Sequence, residues 1–167
     1  MEAAVVGQLL PGTGSEQALA ACSYFHDFGK PPGRYCLRAD PVHLQADTHG
    51  LVMLDCAHLQ LGLEESRALA DTISAHLAED DWLLQVGDSC RWYLLGDDQD
   101  LQARPASEVT GRHTTLSALQ GTDARRWTCR LNEVQMLLSG SEINQQRMAR
   151  RQRTVNSLCL WGGGRPG

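Results

Sequence analysis

The stretch L-E-E-S-R-A-L-A-D-T-I-S-A-H-L-A-E, residues 63–79, constrains the fold more than any other. Leu69, Ile73 and Leu77 recur at four-residue spacing and form one apolar stripe, with Glu64 and Glu65 in the first turn, where the helix dipole favours acids. A helix with one apolar face must bury it against a second layer. Both flanks supply strands for that layer. Upstream, Tyr35, Leu37 and Ala39 alternate with Cys36 and Arg38 within 34–46, D-T-H-G (47–50) reads as a turn, and L-V-M-L-D (51–55) as a short strand. Pro41 suggests an edge or a bulge in the first of these. Downstream, W-L-L-Q-V (82–86) and R-W-Y-L-L-G (91–96) flank G-D-S-C, a second hairpin.

The rest of the chain adds helices. Residues 101–121 contain Pro105 and two glycines and read as loop with short irregular pieces. Trp127, Leu131, Val134 and Leu138 make one stripe on a helix over 123–139, which Gly140 ends. Ser141 is positioned to cap a third, polar helix carrying Asn144 and Arg147, and a last strand spans 155–161 before three glycines. At the other end, 1–14 read as a leader, Ser15 opens a short helix through Cys22, and F-G-K-P-P-G (28–33) is a turn. The expected fold is α+β: a single domain with an antiparallel or mixed sheet and helices packed on one face. The expected organisation is a leader with a short helix over 1–33, the domain over 34–164 and a tail over 165–167.

Composition supports one domain. A chain of 167 residues buries roughly 70% of its unfolded surface, and 42% hydrophobic with 21% charged residues is an ordinary globular balance. No stretch reaches the ~18 apolar residues of a membrane span, and the N-terminus lacks the basic region of a signal peptide. Six cysteines are spread with no C-x-x-C pair. Their even number permits disulfides, but a chain of this size does not need them, so reduced, mostly buried thiols in a cytoplasmic protein are expected.

Charge is uneven. Residues 1–122 hold 17 acids against 7 bases, whereas 123–167 hold 8 arginines against 3 acids. An acidic body would repel a phosphate backbone, which argues against nucleic acid as the main partner. The basic end suits a small anion.

Several patterns carry little chemistry. His26-Asp27 lacks the separate His and Asp ligands of a metal phosphohydrolase site and reads as a solvent-facing pair. Asp40, His43, Asp47 and His49 cluster in sequence, but Asp40 and His43 have odd spacing and would point to opposite faces of a strand, so they read as hairpin surface rather than a metal site. G-G-G-R-P-G (162–167) follows a strand, yet no helix follows to complete a phosphate cradle. No catalytic residue, metal site or cofactor is therefore assigned. The arginines lead further. Arg147 and Arg151 share a helical face, Arg150 and Arg153 are close by, and Asn144 lies one turn before Arg147. Guanidinium groups bind carboxylate and phosphate in a bidentate way. Asn144, Arg147 and Arg151 are the candidate substrate-binding residues.

L-N-E-V-Q-M-L-L (131–138), I-N-Q-Q-R (143–147) and V-N-S-L-C-L-W-G-G-G (155–164) resemble one stretch of the archaeal-type cofactor-independent phosphoglycerate mutases, in which an Asn-Glu helix precedes an Asn-x-x-Arg element and an Asn-bearing strand running into Gly-x-Gly. R-A-D-P-V-H-L-Q-A (38–46) and R-W-Y-L-L (91–95) look like strands of the same domain. The resemblance covers residues 34–164 and comes nearest to a bacterial branch of phosphoglycerate-mutase-like, Rpf-type regulatory proteins. It implies the inserted, substrate-side domain of such a mutase without the metal-binding half that transfers the phosphoryl group, so this chain alone is not expected to be an enzyme. At D-C-A-H-L (55–59) the mutases carry an Asp-Arg-Arg-Ala-Gly-Arg run, of which only Asp55 matches here. The resemblance also implies that the terminal glycines serve a connection back to the missing half. The expected function is a non-catalytic relative that binds a small phosphorylated or carboxylated anion. A regulatory module that binds a protein partner or self-associates is the alternative, and nucleic-acid binding through the 147–153 arginines a weaker one.

Overall fold

A computed structural model describes residues 19–103, 113–114 and 119–164. Within them the helices are α1 (Leu19–Phe28), α2 (Leu63–Ala78), α3 (Ala124–Ser139) and α4 (Glu142–Ala149). The strands are β1 (Tyr35–Asp47), β2 (Gly50–Leu54), β3 (Leu83–Asp88), β4 (Arg91–Gly96), β5 (His113–Thr114) and β6 (Ser157–Gly164). A single 3₁₀ turn, Cys56–His58, leaves β2. The fold is α+β and all strand pairs are antiparallel.

The 13-residue β1 organises the sheet. It pairs with β4 over Tyr35–Arg38, with β6 between Cys36 and Val42, and with β2 over His43–Asp47. β3 extends the sheet from β4, and β5 extends it from β2. Both hairpins form where the period-2 patterns place them. Asn156, just before β6, prolongs the ladder with its side chain: Leu44 N donates to Asn156 Oδ1 (2.7 Å), and Asn156 Nδ2 donates to Leu44 O (2.9 Å).

Alternation along β1 sorts its side chains to two cores. Tyr35, Leu37 and Ala39 join Leu69, Ile73, Leu77, Trp127, Val134 and Leu138 from α2 and α3. Ile143 of α4 packs against the same cluster. Cys36 points the other way, to Ala20, Ala21, Tyr24, Tyr93 and Leu95. The short helix expected near the N-terminus is thus α1, and it covers the second face of the sheet. It extends to Phe28 because Tyr24 and Phe28 stack against each other at 4.4 Å and both meet the Tyr93 ring edge-on. The Ser15 cap lies outside the described residues.

Three expectations need correction. The first concerns the glycines after Trp161, which belong to β6 rather than to a loop: Gly164 pairs with Cys36 across a register shift. Gly162 has φ +67°, and a side chain on Gly163 would collide with the Tyr35 hydroxyl. Second, Ser141 occupies the N-cap of α4 but makes no capping bond, and its buried Oγ has no partner among the described residues.

The third concerns the cysteines. Cys36 and Cys159 are free and buried as expected, but Cys56 and Cys90 form a disulfide across a sequence separation of 34. It ties the 3₁₀ turn to the β3–β4 turn. Spacing could not reveal it, because the sulfurs meet only once α2 has folded between them. A loop of that length makes reduction cost about 2–4 kcal/mol. Urea unfolding with and without a dithiol reductant should show that loss, and the Cys56→Ser/Cys90→Ser variant should be insensitive to the reductant.

Of 101–121, Gln102 and Gln120 form an isolated bridge, and the remaining described pieces are β5 and short connections. No helix among the described residues is long and apolar enough to cross a membrane.

Candidate functional site

The three sequence candidates occupy α4 and its exit, and they face different ways. Asn144 is buried and clamps the chain around it: its Nδ2 donates to Leu138 O and Val155 O (both 2.8 Å), and Val155 N donates to its Oδ1 (3.0 Å). Arg147 is 0% exposed. Its Nε donates to Arg153 O (2.7 Å), its Nη1 to Glu65 Oε2 (2.9 Å), and its Nη2 to Leu59 O. One guanidinium therefore joins α2, the residue after the 3₁₀ turn, and the segment after α4. Arg151 is exposed and none of the described residues pairs with its side chain.

Arg147 lies beneath a polar pocket of about 580 Å³, lined by Gln45, His58, Leu59, Gln60, Arg151, Gln152 and Arg153. Leu59 and Arg153, whose carbonyls it binds, are two parts of that pocket's wall. Gln152 N donates to Arg147 O (2.8 Å), which fixes the second wall again. No carboxylate is among the lining residues, and the Arg151 and Arg153 guanidiniums have no partner among the described residues. His58 is oriented by Asp55, whose Oδ1 accepts from Nδ1 at 2.7 Å. Two arginines thus share the lining of one pocket on a chain of net charge −5.

The backbone here is under strain. Among the described non-glycine residues with positive φ, Gln60 (+50°) and Arg151 (+59°) both line the pocket, and Asp81 (+62°) is the third. A non-glycine residue in that region costs on the order of 1–3 kcal/mol, and such residues concentrate at binding sites. Arg147 binds the carbonyls of Leu59 and Arg153, one residue before Gln60 and two after Arg151. On the flank, His43 Nδ1 donates to Thr154 O (2.9 Å), and burial lowers the pKa of His43 below its ordinary value.

A second polar constellation lies under α1. Tyr93 O–H donates to Asp27 Oδ2 (2.5 Å), and Arg91 binds the same carboxylate through Nε (2.9 Å) and Nη2 (2.9 Å). Ser23 O–H donates to Tyr93 Oη (2.6 Å), and Arg38 Nη1 donates to Ser23 Oγ (2.9 Å). Arg38 then grips Asp40 in a bidentate pair (2.8 and 3.0 Å), and Trp161 Nε1 donates to Asp40 Oδ2 (2.8 Å). Arg38 also stacks over the rings of Tyr93 and Trp161. Burial would raise the Asp27 carboxyl, but the bonds from Arg91 and Tyr93 outweigh it and lower the pKa. This chain of contacts anchors α1 to β4, β1 and β6. Its donors and acceptors are used largely on one another.

Sequence reading treated Asp27 and Asp40 as surface residues, and the structure buries both side chains in ion pairs. The signal for Asp40 was present: Arg38 and Asp40, two apart on a strand, share a face. Among the described residues no group of three or more His, Cys, Asp or Glu side chains could hold a metal ion.

No protein-family profile matches the sequence, and no curated protein matches it either. Among solved structures the chain is similar to the cofactor-independent phosphoglycerate mutase from Thermoplasma acidophilum DSM 1728, with TM-score 0.59 and 20% identity. The match covers 80% of this chain and 38% of that enzyme's, so the protein has the fold of one part of that molecule.

Proposed function

We propose that this chain is a substrate-side domain of phosphoglycerate-mutase type, itself non-catalytic, that binds a small phosphorylated or carboxylated anion. The pocket of Arg151 and Arg153 carries this reading: among the described residues neither guanidinium has a partner, His58 shares the lining with them, no carboxylate does, and Gln60 and Arg151 line it with left-handed backbone. Arg151 and Arg153 are the anion's contacts. Arg147 and Asn144 act one layer below, as the residues that hold the walls in register. His58, Leu59 and Gln60 line the pocket, next to Asp55, at the stretch where the resembling mutases carry arginines that this sequence lacks.

Calorimetric titration with inorganic phosphate and 3-phosphoglycerate tests the proposal. A charge-assisted hydrogen bond is worth about 1.5–3 kcal/mol when well formed, and at this exposed site Arg151→Ala is expected to weaken binding about tenfold. Arg151→Ala/Arg153→Ala should abolish it, while the ligand-free melting temperature stays unchanged. If neither anion gives heat of binding, or if the double variant binds as the unaltered protein does, the proposal is wrong.

A further inference from the structure

The rest of the lining narrows the ligand class. Gln45 comes from β1, Gln60 from the exit of the 3₁₀ turn and Gln152 from the exit of α4, so three separate segments each bring a carboxamide to the same pocket. No described residue hydrogen-bonds any of these three carboxamides. A carboxamide carries both N–H donors and an acceptor oxygen. A simple dicarboxylate only accepts, and inorganic phosphate brings at most one or two hydroxyls on a single centre, too few to match the acceptor oxygens of three carboxamides on separate segments. A hydroxyl group donates and accepts, and so matches both ends of a carboxamide. The pocket has about 580 Å³, within the ~300–1,000 Å³ of small-molecule sites and well beyond what a phosphate of a few water volumes, ~30 Å³ each, would fill. No Phe, Tyr or Trp is among its described lining residues.

We propose that the pocket takes a phosphorylated sugar or polyol, with its phosphate on Arg151 and Arg153 and its hydroxyls on Gln45, Gln60 and Gln152. The proposal rests on the anion-site reading above and adds the hydroxylated body to it.

The test is calorimetric titration of the full chain with three probes: glucose 6-phosphate, inorganic phosphate and glucose. Each satisfied carboxamide is expected to contribute a factor of about three to ten. Glucose 6-phosphate should therefore bind at least about tenfold more tightly than inorganic phosphate, with no measurable binding of glucose. In Gln45→Ala/Gln152→Ala, two exposed positions without side-chain partners among the described residues, the sugar phosphate should fall to the affinity of phosphate while phosphate itself is unaffected. Equal affinity for glucose 6-phosphate and phosphate in the unaltered protein overturns the hydroxyl assignment and leaves the anion site standing. An equal loss for both ligands in the glutamine variant overturns it too. Absence of binding by either anion overturns the anion site and this inference together.

Discussion

Arg147→Ala is expected to lower the unfolding free energy by about 3–5 kcal/mol, the range for removing one partner of a buried ion pair. For a chain of this size that corresponds to a fall in Tm of roughly 10 °C. The side chain has no exposed surface and bonds two carbonyls and one carboxylate from three segments. Its loss leaves Leu59 O and Arg153 O without their donor and Glu65 without its counter-ion, and it opens a cavity the size of an arginine. Arg147→Lys should recover only part of the loss, because an ammonium has no planar fork to reach three acceptors at once. Urea unfolding of both variants measures this. Near-neutral stability for Arg147→Ala would mean that the guanidinium faces solvent. Anion affinity should fall in the same variant even where it remains folded, because the lining residues Leu59 and Arg153 would lose the guanidinium that ties their carbonyls together.

Arg38→Ala is expected to cost a similar ~3–5 kcal/mol, with a distinctive pH dependence. Burial lifts the Asp40 carboxyl above its usual range, and Arg38, followed by Trp161 and a backbone bond from Trp92, pulls it part of the way back. Without Arg38 the charged form of Asp40 loses its main partner and its folded pKa rises further. An acid whose folded pKa exceeds its unfolded value of about 4 stabilises the fold when protonated. The penalty in Arg38→Ala should therefore be smallest below about pH 4 and should grow as the pH rises through the elevated folded pKa. Arg38→Ala/Asp40→Ala should cost less than the sum of the single changes, since no orphaned charge remains. Unfolding curves from acid to neutral pH would show this, and a pH-independent penalty would mean that the Arg38–Asp40 pair is not buried.

The periodic parts of the fold were legible from residue order. Leu69, Ile73 and Leu77 define α2, and Trp127, Val134 and Leu138 define the buried stripe of α3, because a repeat near 3.6 has one structural meaning. The hairpins followed from alternation and turn residues. The glycines of β6 misled because glycine next to an apolar strand more often marks a loop. Only the Tyr35 ring packed against Gly163 explains why the strand continues through them.

The site was legible in residue type but not in direction. Asn144 and Arg147 stand out in any reading of α4, yet nothing in their spacing shows that Arg147 turns inward to meet Glu65 and Leu59, 82 and 88 positions away. With Arg147 drawn inward, Arg151 and Arg153 are left facing the pocket. The place of His58 and Gln60 in the pocket lining gave no signal, since it depends on a 3₁₀ turn and a left-handed residue that no periodicity encodes. The Cys56–Cys90 bond and the Arg91–Asp27 pair are likewise long-range, and they join residues brought together only by the completed sheet.

The decisive measurement is a phosphate titration followed by NMR of the arginine Nε–Hε and backbone amide signals. The Arg151 and Arg153 side chains and the amides of residues 58–60 and 151–153 should shift along one saturable curve, while the α1 network of Arg38 and Arg91 stays still. Shifts confined to other arginines, or none that saturate, would contradict the assignment of this pocket as the anion site.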